Sequence, residues 1–422
     1  MRTGGLTLST TTGATAETDM LERITTRNTE REPSSTEPEV CQPGASEQVT
    51  SEQVTSEPAT SEPGTCPVNS HNEWDPLEEI IVGRLEGAVI PSAHPVVTCN
   101  VPGWAGRVQK LAAGFRFPQI MIEPAQRELD HFVHVLQQLG VVVRRPDAVD
   151  HKKKFGTPEW SSRGFCNTCP RDSMLLIGDE IIETPMAWPC RYFETLSYRP
   201  ILKDYFRRGA RWTSAPKPEL TEELFDLDFR LPEKGEPLRY ILTEFEPVFD
   251  AADFVRCGRD LMVTRSNVTN LSGIEWLRRH LGRDYRIHEI ESRCPNPMHI
   301  DTTLLPLAPG KLLVNPEYID VSRLPDIFNS WNILIAPEPD PIKDEKLLEV
   351  TSMCGRWLSM NILMVDEKRA IVDPHHKGMV RALERWGFET IPVPFLHYAA
   401  FGGAYHCATL DVRRRGTLES YF

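Results

Sequence analysis

The sequence predicts an α/β fold assembled from about five copies of a strand–helix–strand module. Three observations predict it. After residue 66, short β-rich runs alternate with amphipathic stretches, and most of those stretches close on a glycine or polar break. A composition of 40% hydrophobic and 25% charged residues suits a globular chain with a proper core.

The elements follow in order. LEEIIVG is the opening strand, and PAQRELDHFVHVLQQLG is a helix that ends at Gly140 and leads into VVVRRP. DSMLLIGDEIIETP with RYFETLSYRPILKDYFRRG supplies the next unit. RDLMVTRSN is a strand and turn, LSGIEWLRRHLG a helix with Ile274, Leu277 and Leu281 on one stripe, and RIHEIE an alternating strand. GKLLVNPEY, SRLPDIFNSW and NILIAPEP make the fourth copy, with SRLPDIFNSW in the helical place. EKRAIVDPHH, GMVRALERWG and FETIPVPF make the fifth. Alternation alone suggests a doubly wound parallel sheet. Repetition suggests five small units about a pseudo-fivefold axis, and periodicity leaves both open.

Residues 66–422 form the predicted domain. Residues 1–65 carry 4 basic and 11 acidic side chains, hold no aromatic residue, and end in the repeat SEQVT SEQVT SEPAT SEPGT. So little apolar surface cannot offset the entropy of ordering, and the segment is expected to be disordered. Transit peptides are rich in arginine and poor in acids; here only Arg2 precedes Glu17. A cytoplasmic location is therefore expected, with mitochondrial targeting as the alternative.

Net charge −13 over 422 residues argues against nucleic-acid binding, and no apolar run reaches the roughly 18 residues of a membrane span. Ten cysteines are too few for a disulfide scaffold of this length, so reduced thiols are expected. No glycine-rich phosphate loop follows a strand, so no nucleotide cofactor is implied.

Several side chains suit chemistry. Cys407 follows the Gly402-Gly403 pair and His406, as a candidate nucleophile. His299 and Asp301 straddle Ile300, and on a strand both would face one side. Asp250 and Asp253 sit among Phe249, Ala251 and Ala252, where buried carboxylates need partners. Asp172 opens a strand in CPRDSMLL. Cys166-x-x-Cys169 lacks the second ligand pair of a zinc site. The ERW and RRR clusters near the C-terminus read as solvated faces.

Together with NEWDPLEEIIVGR, GDEIIETPMAW, TEFEPVFDAADF, PNPMHIDTT, APGKLLVNP, RWLSMNIL and HCATLDVRRRGTLESY, these residues resemble the arginine-dependent amidinotransferases, in particular the glycine-using type. The resemblance implies a five-bladed α/β propeller, the pentein fold. It also implies transfer of an amidino group from arginine to an amine. Cys407 then matches the nucleophile, His299 the general acid and base, and Asp250 its carboxylate partner. Asp172 and Asp301 match residues that hold the donor guanidinium and α-amine. Asn296 and Met298 match the acceptor side of the glycine-using type. Tyr318 stands where the family usually has an arginine clamp for the donor carboxylate, and Cys354-Gly355 where the glycine enzyme has a serine pair. Either Lys311, Arg356 or another nearby cation then takes over, or donor affinity and identity differ. The implied partners are small-molecule substrates with no metal or cofactor; a homodimer stays open. A natural-product amine as acceptor, a deiminase using water, and a non-catalytic binding descendant are the alternatives.

Overall fold

The computed structural model describes residues 66–101, 103–341 and 355–422, so the expectations for residues 1–65 and Cys354 lie outside the described residues. Strand β1 (Leu77–Val82) is followed by helices α1 (Pro95–Cys99), α2 (Gly103–Ala112) and α3 (Gln119–Gln138), then β2 (Val142–Arg144). A small hairpin, β3 (Lys154–Gly156) and β4 (Ser161–Arg163), precedes the short helix α4 (Pro170–Ser173). Next come β5 (Met174–Ile177), β6 (Glu180–Glu183), α5 (Arg199–Arg207) and β7 (Arg211–Ser214). Then β8 (Phe254–Cys257), β9 (Asp260–Val263), α6 (Leu271–Leu281) and β10 (Arg286–Glu289) repeat the order. β11 (Leu304–Ala308), β12 (Lys311–Val314) and β13 (Asn332–Ile335) follow. The chain ends with β14 (Leu363–Met364), β15 (Arg369–Val372), α7 (Lys377–Arg385), β16 (Glu389–Pro392) and β17 (Thr409–Arg414).

These strands form five three-stranded sheets, ordered β17-β1-β2, β5-β6-β7, β8-β9-β10, β11-β12-β13 and β14-β15-β16. Each sheet pairs a first strand antiparallel with a central one, and the central strand parallel with a third. A doubly wound parallel sheet is thus excluded. The repeating unit is a hairpin plus a crossover rather than strand–helix–strand. The sequence reading missed several hairpin strands because they are two to six residues long and mostly buried, which erases alternation. Gly178 and Gly258, at φ 61° and 67°, open the two-residue turns of β5–β6 and β8–β9, where a left-handed backbone is required.

Central strands are almost wholly buried, whereas β7, β10, β13 and β16 all run exposed, half-buried, half-buried, exposed. Helix α6 buries Ile274 and Leu277 and half-buries Leu281, as its stripe predicts. SRLPDIFNSW is not an α-helix: it breaks into two 3₁₀ turns, Val321–Arg323 and Asp326–Ser330, around Pro325, which lacks an amide proton. No helix among the described residues is long and apolar enough to cross a membrane.

Where the sheets converge, charge replaces apolar packing. Arg256 on β8 donates to Glu73 at 2.9 Å through both Nε and Nη2, and to Asp411 on β17 at 2.7 Å. Arg171 reaches Asp411 at 2.6 Å, and Arg414 reaches it at 2.6 Å through Nε. All five side chains are at most 5% exposed. Arg414 corrects the reading of RRR as a solvated face: strand alternation turns it inward while Arg415 stays 73% exposed. The ERW cluster is solvated, with Glu384 and Arg385 exposed.

Candidate active site

At least one candidate side chain comes from the turn before the first strand of each sheet. Asp172 lies two residues before β5, Asn361 two before β14, and Cys407 two before β17. Asp250 caps the 3₁₀ turn Ala251–Asp253 ahead of β8. His299 caps the turn Ile300–Thr302, which carries Asp301 ahead of β11. The strand expected for His299-Ile300-Asp301 is therefore a 3₁₀ turn. His299 has φ 61°, a left-handed conformation that a non-glycine residue keeps only when its surroundings hold it there.

The imidazole sits between two carboxylates: Nε2 lies 3.2 Å from Asp250 Oδ2, and Nδ1 lies 3.8 Å from Asp172 Oδ1. Burial works against its charge, but Asp172 and the hydrogen-bonded Asp250 prevail and raise its pKa to about 10. Trp188 Nε1 donates to Asp250 Oδ2 at 3.1 Å and orients it. Arg191, missed in the sequence, donates to Asp172 Oδ2 at 2.6 Å and to both oxygens of Glu194. Asp253 faces away to Ser266 at 2.6 Å, and burial raises its pKa to about 6.

The Cys407 side is equally tied. Cys407 Sγ is 3.3 Å from Asp301 Oδ2 and 3.0 Å from Asn361 Nδ2. Asp301 Oδ2 also accepts from Asn361 at 2.7 Å and from His406 Nδ1 at 2.9 Å. Burial pushes Asp301 upward, but His406 outweighs it and holds the carboxyl below its usual range. Three buried oxygens, Asp172 Oδ1, Asp250 Oδ1 and Asp301 Oδ1, have no hydrogen-bond partner among the described residues. Acceptors left this way face a desolvation cost that a cationic N–H donor would offset.

Asp301 Oδ2 stands 3.3 Å from Cys407 Sγ, about the separation an attacking sulfur needs from its target carbon. Asn296 and Met298 lie just before His299. Asn296 Nδ2 donates to Cys99 O at 2.9 Å, and Met298 packs among Trp188, Val248 and Val268. Tyr318 packs half-buried against the core around Leu313 and Trp357, and its hydroxyl pairs with Cys294. Lys311 is not a substitute cation there, since Nζ donates to Trp386 O at 3.2 Å above the Phe388 ring. Arg356 is held by Glu317 at 2.7 Å and by Glu338. Gly355 is exposed, with open space at its Cβ position.

Cys166 bonds Thr168 at 3.0 Å and, with its thiol pushed up by burial to about 12, is packing. Asp172, Asp250 and His299 form the one cluster among the described residues that could hold a metal ion. The hydrogen bonds to Arg191 and between His299 and Asp250 already account for its arrangement. A Cβ on Gly403 would stand 2.4 Å from Cys407 Cβ and 3.1 Å from Sγ. Gly403→Ala should therefore displace the nucleophile and lower kcat about a hundredfold, the usual effect of a misplacement near 1 Å. Steady-state rates beside a thermal melt check it; an unchanged kcat means the loop absorbs the methyl group.

No protein-family profile matches the chain. An L-arginine:L-lysine amidinotransferase of Pseudomonas savastanoi pv. phaseolicola is 48% identical over 357 residues, covering 85% of this chain and 97% of that protein. The chain belongs to the amidinotransferase family. The mitochondrial glycine amidinotransferase of Gallus gallus is 46% identical over 369 residues, covering 85% of each chain. Among solved structures, SxtG, an amidinotransferase of Microseira wollei in the saxitoxin biosynthetic pathway, superposes with a TM-score of 0.81 at 53% identity. That match covers 85% of this chain and all of SxtG. Amidinotransferases of this kind have the pentein fold, with which the mixed α/β architecture agrees.

Proposed function

We propose that this amidinotransferase takes the amidino group of L-arginine onto Cys407 and delivers it to a primary amine. The observation that carries the reading is the set of three buried carboxylate oxygens around Cys407 and His299 that have no hydrogen-bond partner among the described residues. They suit the N–H groups of a guanidinium, which stays charged at neutral pH. The Cys407 thiolate attacks the guanidinium carbon, and the bond from that carbon to the ornithine nitrogen breaks. His299, protonated at neutral pH, gives its proton to the departing amine. The acceptor amine then attacks the amidino-thioether, His299 takes its proton, and sulfur leaves as thiolate.

Glycine is the acceptor supported by the Asn296-Pro297-Met298 run. A natural-product amine is the second reading, favoured by the identity to SxtG. Incubation with arginine alone and then with glycine or lysine tests this. Ornithine plus amidinated acceptor is expected; citrulline without acceptor would mean a deiminase, and ornithine appearing with neither amino acid would favour another amine. The five equivalent sheets support reading the fold as five blades about a pseudo-fivefold axis.

With the His299 pKa at about 10, the alkaline limb of kcat/KM should fall near that pH, not at the ordinary histidine value of ~6.5. Asp250→Asn removes a carboxylate that favours the imidazolium, so the limb should move to lower pH. A raised folded-state pKa also stabilises the fold below the ordinary value, and that contribution is lost as pH rises through about 10. pH–rate profiles of both proteins check it; a limb near neutrality in the unsubstituted enzyme would refute the assignment.

A further inference from the structure

We infer that Asn361 is a catalytic residue: its side-chain amide holds the Cys407 sulfur in place and stabilises it as thiolate in both halves of the reaction. The inference rests on Cys407 being the nucleophile.

The amide's orientation is dictated by its surroundings. Asn361 Oδ1 accepts from the backbone N–H of His406 at 3.0 Å and of Cys407 at 3.2 Å. Nδ2 therefore faces Asp301 Oδ2 at 2.7 Å and Cys407 Sγ at 3.0 Å. The flipped amide would set an oxygen against a carboxylate and N–H groups against N–H groups, so the donor end must meet the sulfur. Both hydrogens of Nδ2 are then committed, one to Asp301 and one to Sγ. A thiol sulfur is a weak acceptor and a thiolate a far better one, so the bond favours the ionised form.

The charged groups around the sulfur make that help necessary. Asp301 approaches it from the turn before β11 and, as a carboxylate 3.3 Å away, opposes a second negative charge. His406, adjacent in the chain, is turned to Asp301 and Glu73, at 2.9 and 3.3 Å. His299 holds its own proton against Asp172 and Asp250, so it is no base for the resting thiol. Cys169, from the segment before α4, lies on the far side of Gly403. Asn361 is a neutral donor to the sulfur. Sulfur is the nucleophile in the first half-reaction and the leaving group in the second, so one hydrogen bond assists both.

The position also completes the pattern of the fold. Asn361 stands two residues before β14, where Asp172 and Cys407 stand before β5 and β17. It ends the 3₁₀ turn Arg356–Met360, whose Trp357 and Met360 are buried, so the backbone is fixed from below.

Asn361→Asp keeps an oxygen for the two backbone N–H groups but replaces the donor with a carboxylate, so its shift includes the added charge; Asn361→Ala deletes the donor without adding charge and isolates the hydrogen bond. Iodoacetamide modification of Cys407, followed by peptide mass against pH, reads thiolate formation independently of any acceptor. Its midpoint in Asn361→Ala should rise by about one to two pH units, the worth of one charge-assisted hydrogen bond, and kcat should fall at least tenfold. Asn361→Asp should shift the midpoint in the same direction and serves if the alanine variant does not fold. A residue with a merely structural role would lower the melting temperature and leave the midpoint where it was; that result in a folded variant overturns the inference. Amidino label found on another cysteine would instead overturn the choice of nucleophile.

Discussion

Cys407→Ser should abolish turnover, with a loss of at least about ten-thousandfold, while the protein keeps its melting temperature. The serine hydroxyl is a poor nucleophile without a strong base, and none is at hand: His299 is already protonated, and Asp301 is committed to Asn361 and His406. Removing the sulfur also removes the leaving group of the second step, so no acceptor rescues the variant. Incubated with arginine and no amine, the unsubstituted protein should gain one amidino group on Cys407, visible by peptide mass, and the variant none. Label on Cys166 or Cys169, or residual turnover within tenfold, would sink the assignment.

Arg256→Met should cost about 3–5 kcal/mol of stability, the typical penalty for removing one partner of a buried ion pair. Arg256 is 4% exposed and joins Glu73 to Asp411, so its loss leaves both carboxylates under-neutralised in the protein interior. Arg171 stays 3.4 Å from Glu73 and partly compensates. Glu73 and Asp411 are held well below the usual carboxylate range: burial opposes this, and Arg256 is the foremost cause of the lowering. A depressed folded-state pKa stabilises the fold above the ordinary carboxylate value and is lost as pH falls below it. The variant should therefore lose its stability advantage over the acid state. Urea titrations at neutral and acidic pH check both points, and a variant as stable as its parent at neutral pH would refute the argument.

The candidate residues best read from sequence are those whose chemistry is uncommon in a core. A cysteine after two glycines, a histidine paired with an aspartate, and an aspartate framed by apolar residues announce themselves; His299 then pairs with Asp250, and Cys407 with Asp301. Asn361 escapes because a neutral amide in SMNIL carries no charge or spacing signal. Alignment of the five modules on their hairpin strands would have exposed it. Arg191 and Glu194 sit in a 3₁₀ stretch without periodicity, and their meeting with Asp172 depends on tertiary approach alone. Asp301 was legible as a candidate from its spacing to His299, but its 3.3 Å approach to Sγ is set by tertiary structure alone. The crossover helices α6 and α7 and the central strands were legible from apolar stripes and runs; β14, two residues long, left no pattern to read.

The first sheet is closed by the last strand: β1 pairs with β17, and Tyr421 and Phe422 pack on Trp74 and Trp331. During synthesis, β1 emerges with one edge bare and waits for more than three hundred residues to follow before its antiparallel neighbour exists. The same late segment delivers Cys407. A ribosome-bound chain therefore carries four of the five site-forming turns but no nucleophile, and the reactive thiol arrives together with the contacts that bury it. Closure of the first sheet waits for β17, and a chain stopped before Thr409 should be recovered as an open, protease-sensitive species rather than as a stable inactive enzyme.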